Sequence, residues 1–240
     1  MPAHVPRLYH DAELAVGGRP VITGDQAHHL LRVLKLKPGD SAILFNGQGG
    51  EYEATVTATT RGDCSFEVTA HDPVDRESPL AIHLGLAVLK RDAMIAALQR
   101  AVELGVTRIT PVVTSHVAVS AKQQAGRRRQ WQDVVRMAAE QSGRTRVPGI
   151  AESVGTEGFL RTAGTDVRLI AHPGPANTWP RGPASEVTLL VGPEGGLAEE
   201  EIRAASATGW QTVSAGPRIL RAETTPAALL AMIQQRWGDM

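Results

Sequence analysis

From residue 80 onward, short apolar runs alternate with amphipathic helical patterns, and this alternation constrains the fold more than any other feature. The run "LAIHLGLAVL" is apolar throughout, which is typical of a strand buried on both faces. The segment "RDAMIAALQRAVELG" follows, with Met94, Ile95 and Leu98 on one helical stripe. Further strands are predicted in "VTRITPVVT", "VRLIAHPG", "VTLLVGPEGG" and "WQTVSAGPRIL", and further helices in "RRRQWQDVVRMAAEQSGR" and "TPAALLAMIQQRWG". The pattern predicts an α/β fold with a mostly parallel sheet.

The first 70 residues have a different pattern. "SAILFNGQGGEYEATVTA" alternates around a glycine-rich turn and "CSFEVTA" supplies another strand, which predicts a small antiparallel β module. Before it, Ala27, Leu30, Leu31 and Leu34 have helical spacing. The polar stretch "HDPVDRESPL" reads as a linker, so we predict one domain over residues 1–73 and a second over 78–240.

Composition limits the class of protein. A single cysteine, Cys64, excludes an internal disulfide and a metal cluster built on cysteines. No targeting pattern and no run of about 20 apolar residues is present, so we expect a soluble cytoplasmic protein without a membrane partner. Residues 76–150 carry 12 Lys/Arg against 5 Asp/Glu, a net +7. That excess fits either a polyanionic partner or a solvated helix face. The same two alternatives hold for Arg127 to Arg129, which could contact phosphates or form the solvated start of a helix.

Three late strands end in loops rich in glycine and proline: "AHPGPAN", "GPEGG" and "AGPRILRAETT". In an open α/β sheet, ligands bind outside the carboxyl ends of the strands. "GPEGG" lacks the terminal Gly-Lys-Ser/Thr of a phosphate-binding loop, and Glu194 would repel a phosphate. The loop therefore favours a neutral or cationic ligand held by backbone groups, unless it is only a tight turn.

The last of these loops places Arg218, Arg221 and Glu223 between a strand and an apolar helix. Packing does not require three charged residues there, so they are candidates for chemistry. A salt bridge between Glu223 and one arginine is the structural alternative. Thr225 is a candidate cap for the helix that follows.

"LLVGPEGGLAEEEI" and "LRAETTPAAL" together resemble the SPOUT methyltransferases, and in particular the RsmE family. Other matching stretches, in order, are "RLYH", "HHLLRVLKLKPGD", "DRESPLAIHLGLAVLKRDAM", "RAVELGVTRITPVVTSH", "AAEQSGRTRVP" and "LIAHPG". The resemblance spans nearly the whole chain. It implies an α/β fold whose C-terminal SPOUT domain carries a trefoil knot, with a PUA-like β-barrel domain at the N-terminus for RNA. It also implies a homodimer that transfers a methyl group from S-adenosyl-L-methionine to N3 of a uridine in 16S ribosomal RNA of the small subunit.

The resemblance assigns the cofactor to the three late loops. The cofactor residues it implies are Leu169, Ile170, Ala171, His172, Leu190, Val191, Gly192, Pro193, Glu194, Gly195, Gly196, Ile219, Leu220, Arg221 and Thr224. For RNA we nominate the basic residues Arg7, Arg32, Lys35, Lys37, Arg91 and Arg144. No metal is implied.

Methylation of a ring nitrogen requires the loss of its proton. The sequence offers Glu223 as a proton acceptor, and Arg221 or Arg218 as a donor to the uracil oxygens, without choosing between them. The alternatives are a SPOUT enzyme that acts on a ribose 2′-OH or another base, and an RNA-binding assembly factor without activity. An NTP-utilising protein is disfavoured because the phosphate-loop lysine is missing.

Overall fold

The structure is a computed structural model that describes residues 5–116, 121–162, 166–174 and 179–240. The chain divides into two compact units. The first contains residues 1–77 together with 139–147, and the second contains 78–138 and 148–240. The assignment of 139–147 to the first unit is a feature that the linear pattern of the sequence did not indicate.

The first unit is built on one five-stranded sheet. Its elements are β1 (Arg7–Tyr9), β2 (Val21–Thr23), α1 (Gly24–His28), β3 (Ser41–Phe45), β4 (Glu51–Thr59) and β5 (Asp63–Asp72). The strand order is β1-β3-β4-β5-β2, with β3, β4 and β5 antiparallel, which confirms the predicted β module. In the described residues no pairing of β1 with β2 closes this sheet into the barrel that we expected.

The helix predicted around Leu30 departs from its expected period. After α1 the chain forms a π-helical turn, His29–Val33. Such a turn bonds residue i to i+5 and holds more residues than an α-helical turn. Ala27 and Leu30 remain fully buried, whereas Leu34, expected on the same face, is 44% exposed. Lys35 then adopts a left-handed conformation (φ 56°) that ends the turn.

The second unit contains the predicted α/β domain. Its strands are β6 (Ala81–Ala87), β7 (Arg108–Val113), β8 (Gly149–Ile150), β9 (Val154–Gly155), β10 (Val167–Ala171), β11 (Glu186–Val191) and β12 (Gln211–Val213). Its helices are α2 (Arg91–Glu103), α3 (Ala121–Ser142, whose end from Ala139 counts with the first unit), α4 (Thr156–Thr162), α5 (Glu199–Ala207) and α6 (Thr225–Trp237).

The sheet of the second unit is parallel throughout, in the order β12-β10-β11-β6-β7-β8, with β9 also on β7. Residues Val187 to Val191 of β11 are all at most 1% exposed, so both of its faces are covered. Gly85 of β6 allows close packing, since a Cβ there would lie 2.3 Å from the Phe159 ring. Leu84, Gly85, Leu86 and Ala87 of β6 are buried in succession, which confirms the strand covered on both faces that the run "LAIHLGLAVL" predicts.

His83 of β6 is a packing residue. Its Nε2 lies 2.7 Å from the Thr110 hydroxyl, and its ring contacts Phe159 edge-on. Burial, with a smaller effect of Arg108, lowers the pKa of His83 to about 4, so the ring is neutral at pH 7. Among the described helices, none is long and apolar enough to span a bilayer.

Candidate functional site

A cleft of about 960 Å³ opens at the carboxyl edge of the parallel sheet in the second unit. Its walls come from the segments that follow β6, β10, β11 and β12, because parallel strands end at the same edge. The amide of His172, directly after β10, donates to the carbonyl of Val213 at the end of β12 at 3.0 Å. The loops that the sequence separates by tens of residues thus meet in one site.

The "GPEGG" loop forms the central wall. The Gly196 amide donates to the Pro193 carbonyl at 2.9 Å, and Gly196 is left-handed with φ 74°. A Cβ on Gly192 would lie 2.9 Å from Leu197 Cγ and 3.2 Å from the Leu197 amide nitrogen, so the turn requires glycine there. At Gly195 a Cβ would meet only His116, at an ordinary 3.8 Å. The protein itself therefore leaves the space beside Gly195 open.

Glu201 holds this loop in place. Its carboxylate accepts hydrogen bonds from the Ala198 amide (2.9 Å), the Thr156 hydroxyl (2.6 Å) and the Ser115 amide (3.2 Å). Ala198 stands at the start of α5 without a side-chain oxygen, so Glu201 supplies the capping bond. Burial alone would raise the pKa of Glu201, but these hydrogen bonds outweigh it and lower the pKa overall. The Glu201 carboxylate thus links the start of α5 to the start of α4 and to the segment after β7.

The third loop carries the charged residues of the cleft. The Arg221 carbonyl accepts hydrogen bonds from the amides of Thr224 and Thr225 and from the Thr225 hydroxyl, at 2.9 to 3.0 Å. Thr225 therefore does not cap α6 as predicted, since Thr224 occupies the cap position. Arg100 of α2 donates to the Glu223 carbonyl at 3.1 Å. These bonds fix the backbone on either side of the Arg221 side chain, which is exposed.

The structure brings most of the predicted cofactor residues together. Those that line the cleft are Ala171, His172, Val191, Gly192, Pro193, Glu194, Gly195, Gly196, Ile219, Leu220 and Arg221. Arg91, Arg218 and Glu223 line it as well. Leu169, Ile170 and Leu190 do not, because they are fully buried strand residues, and Thr224 lies outside the lining too. No salt bridge joins Glu223 to Arg218 or Arg221, all three of which are described, so that alternative is not realised.

Two basic residues that we nominated for RNA, Arg7 and Arg144, instead make ion pairs within the first unit. Arg7 pairs with Glu51 at 3.1 Å, donates to the Ala139 carbonyl at 3.0 Å and stacks on Phe45. Burial lowers the pKa of Arg7 despite its hydrogen bond to Glu51. Arg144 is 5% exposed and pairs with Glu77. Both guanidinium groups are engaged in attaching segment 139–147 to the unit, and neither is open to an external polyanion.

The other nominated basic residues are accessible. Arg32, Lys35 and Lys37 are exposed on the turn after α1, and Arg91 is exposed at the start of α2. Sequence reasoning missed Lys90, Asp92 and Ser214, which also line the cleft. Their signal was positional, since each lies within five residues after the end of β6 or β12. Within the described ranges, no group of three His, Cys, Asp or Glu side chains is arranged to hold a metal ion.

Two family models match the chain. One, for an RNA methyltransferase domain, covers residues 76–234, and the other, for an RNA methyltransferase PUA domain, covers residues 22–69. A protein of Synechocystis named ribosomal RNA small subunit methyltransferase E is 32% identical over 95% of this chain and 76% of its own length. A protein of Bacillus subtilis with the same name is 28% identical over 88% of each chain.

Solved structures agree with these matches. The ribosomal RNA small subunit methyltransferase E of Neisseria gonorrhoeae, bound to S-adenosyl methionine, is 36% identical with a TM-score of 0.92, over 99% of this chain and 100% of that one. A methyltransferase of Legionella pneumophila in complex with the cofactor SAM is 33% identical with a TM-score of 0.94, again over 99% and 100%. The likeness extends across both units.

The anchoring role of Glu201 predicts a local effect of its loss. Glu201→Ala removes three hydrogen bonds to a charged acceptor and should lower the free energy of unfolding by about 2 kcal/mol. Amide hydrogen exchange should accelerate at residues 114–116 and 192–198. Because the pKa of Glu201 is lowered, its contribution is complete at neutral pH and disappears as pH falls through that pKa.

Glu200→Ala is the matched control, since within the described residues Glu200 makes one exposed pair, with Arg203 on the same helix. Equal exchange profiles for the two variants would show that Glu201 does not anchor the loop.

Proposed function

The chain belongs to the RNA methyltransferase family, and from this membership we propose that it transfers a methyl group from S-adenosyl-L-methionine to N3 of a uridine in 16S ribosomal RNA. The single observation that carries the proposal is the cleft in which the three late loops meet around "GPEGG". Relatives that match over most of both chains are named small subunit ribosomal RNA methyltransferases, which supports the substrate class.

The residues of the cleft fit the proposed cofactor. A volume of about 960 Å³ lies within the usual range for small-molecule sites. The open space beside Gly195 allows a ligand to approach the backbone closely. Glu194 adds a carboxylate, which suits a cationic ligand and disfavours a phosphate. When bound, S-adenosyl-L-methionine would supply an electrophilic methyl group.

The residues of the third loop would prepare the acceptor. Uracil N3 carries a proton and is a poor nucleophile until it loses that proton. Glu223, half-buried at the cleft wall and in no salt bridge with Arg218 or Arg221, would accept it. Arg221, or Arg218 beside it, would donate hydrogen bonds to the uracil oxygens, on which negative charge develops as the proton leaves. The uracil nitrogen then forms a bond to the methyl carbon as the carbon–sulfur bond breaks.

The wider arrangement is part of the same proposal. Residues 1–73 act as a PUA-like RNA-binding domain, with contacts from Arg32, Lys35 and Lys37, and residues 78–240 form a trefoil-knotted methyltransferase domain. The match to the PUA model supports the first assignment, and the match to the RNA methyltransferase model over residues 76–234 supports a methyltransferase domain in the second. The substrate is the RNA within the small subunit, which places the reaction in the cytoplasm.

Nucleoside mass spectrometry of 16S ribosomal RNA tests the function directly. RNA from cells that lack this protein should lose N3-methyluridine and regain it when the gene is restored. A different missing nucleoside, such as a 2′-O-methylated one, would identify a SPOUT enzyme of another specificity. An unchanged RNA would favour a non-catalytic assembly factor.

Gly195 offers a test of cofactor binding that spares the fold. In Gly195→Val, the added side chain enters the open space and should weaken S-adenosyl-L-methionine binding at least about tenfold, with an unchanged melting temperature. Isothermal titration calorimetry measures the affinity. Gly149→Val is the control, because a Cβ there would meet nothing within 4 Å and Gly149 lies outside the cleft. Wild-type affinity in Gly195→Val would reduce "GPEGG" to a structural turn.

Arg221 offers a test of the chemical step. Arg221→Ala should lower kcat by about 10²-fold at neutral pH and leave cofactor affinity nearly unchanged, because the lost donor acts on the developing anion. Raising the pH should recover part of the loss, since more of the uracil is then already deprotonated. Single-turnover methylation across pH measures both effects.

Arg203→Ala is the control for removal of a surface guanidinium, since the Arg203 side chain on α5 is exposed. A deficit in Arg221→Ala that is the same at every pH, or that affects only the KM for RNA, would transfer the role to Arg218.

We also propose that the protein is a homodimer. One face of α6 is buried through Leu229, Leu230 and Ile233, while Ala227 and Met232 remain only half-buried. A helix that is apolar on all sides is expected to be covered on all sides. Sedimentation at micromolar concentration should give a species near twice 25.6 kDa, and Met232→Glu should shift it towards the monomer. A fully active monomer would contradict the proposal.

A further inference from the structure

A second cleft of about 530 Å³ adjoins the first in the second unit. Lys90, Arg91 and Glu194 line both clefts, so the two share one border. The remaining lining residues are Val88, Leu89, Met94, His116, Arg127, Gln130 and Trp131. A ligand in the second cleft would therefore lie directly beside a ligand in the first.

The lining divides by chemistry. Val88, Leu89, Met94 and Trp131 are at most 5% exposed and form an apolar floor. Lys90, Arg91 and Arg127 are exposed around it, with Glu194 as the one carboxylate. Glu194 Oε1 accepts the Lys90 amide at 3.2 Å. An apolar floor under a cationic rim suits a ligand with a flat ring and a negative charge, which describes a nucleotide.

The cations of the rim are not used by the fold. Within the part of the chain that is described, Lys90, Arg91 and Arg127 make no salt bridge. Arg128, the next residue on α3, is used: it pairs with Glu152 at 3.5 Å and donates to the Ile150 carbonyl at 3.1 Å. Three like charges around one small cleft repel one another, and a phosphate would remove that repulsion.

We propose that the second cleft binds the RNA nucleotide next to the methyl-accepting uridine, with its phosphate held by Lys90, Arg91 and Arg127. The inference rests on the proposed function, because the shared border places this nucleotide beside the methyl donor. It assigns Arg127 to RNA binding, a role that its neighbours Arg128 and Arg129 do not have because neither lines the second cleft. His116 connects the clefts, since its Nδ1 lies 3.1 Å from the Gly196 carbonyl oxygen while its ring lines the second cleft.

The test compares Arg127→Gln with Arg129→Gln, an exposed neighbour on α3 that lines neither cleft. Arg127→Gln should raise the KM for small-subunit RNA about tenfold, with kcat little changed. The slope of log KM against log salt should fall by about one, as for the loss of one phosphate contact. Arg127→Lys, which keeps the charge, should restore most of the affinity. Arg129→Gln should behave as wild type in each measurement.

Two further measurements separate the possible failures. Calorimetry with S-adenosyl-L-methionine should give the wild-type affinity for Arg127→Gln, and a loss there would assign the second cleft to the cofactor and overturn the proposal. Fluorescence anisotropy with a short single-stranded oligouridylate should show weaker binding for Arg127→Gln than for Arg129→Gln. Equal binding of the two variants would also overturn it. A wild-type protein that neither binds the cofactor nor methylates RNA would instead refute the proposed function, while the oligouridylate comparison would still decide the role of Arg127.

Discussion

The parallel alignment of β6, β10, β11 and β12 is the constraint from which the site follows. Parallel strands end at one edge, so four loops that are distant in sequence must share the same space. Helix α4 packs closely on these strands, since its Phe159 ring occupies the space that a Cβ on Gly85 would need. The hydrogen bond from the His172 amide to the Val213 carbonyl then ties two of the loops together where they leave the sheet. The position of the cleft is thus a consequence of the fold.

Charged residues fall into two groups, those that complete the fold and those that remain available. In the first unit, the Arg76 hydrogen bond and a second bond from Arg7 lower the pKa of Glu51, and Arg144 pairs with Glu77. Removing one member of such a part-buried network would leave another charge without its partner, so these residues act in stability. In the second unit, the cations that line the two clefts have no carboxylate partner among the described residues. A cationic side chain without a carboxylate partner in the fold can bind a ligand, whereas a paired one stabilises the structure.

Features set by local sequence patterns could be predicted, whereas the roles of residues whose partners are distant in the chain could not. The longer strands and helices of the second unit and the meeting of the three late loops follow from periodicity and from the rule for parallel sheets, and the structure has them. The short elements β8, β9 and α4 were not predicted. The roles of Arg7 and Arg144 did not follow, because their partners Glu51 and Glu77 lie 44 and 67 residues away in the chain. Leu34 is exposed because the π-helical turn changes the helical period. The sequence "HHLLRVLK" has no feature that distinguishes a π-helical turn from an α-helical one. Leu169, Ile170 and Leu190 were included in the site because a motif spans a strand and its loop, whereas only the end of the strand reaches the cleft.

The acidic character of the "GPEGG" loop becomes understandable once the neighbouring cleft is considered. In the proposed complex, the sulfonium group of the methyl donor and a phosphate of the RNA occupy adjoining clefts, so opposite charges must be bound side by side. Lys90, Arg91 and Glu194 line both clefts, while the glycine backbone of the loop lines only the first and Arg127 lines only the second. Glu194 belongs to both, and its bond to the Lys90 amide fixes it on the border. A carboxylate on the border attracts a sulfonium group in the first cleft, while Arg127, which lines only the second, attracts a phosphate there.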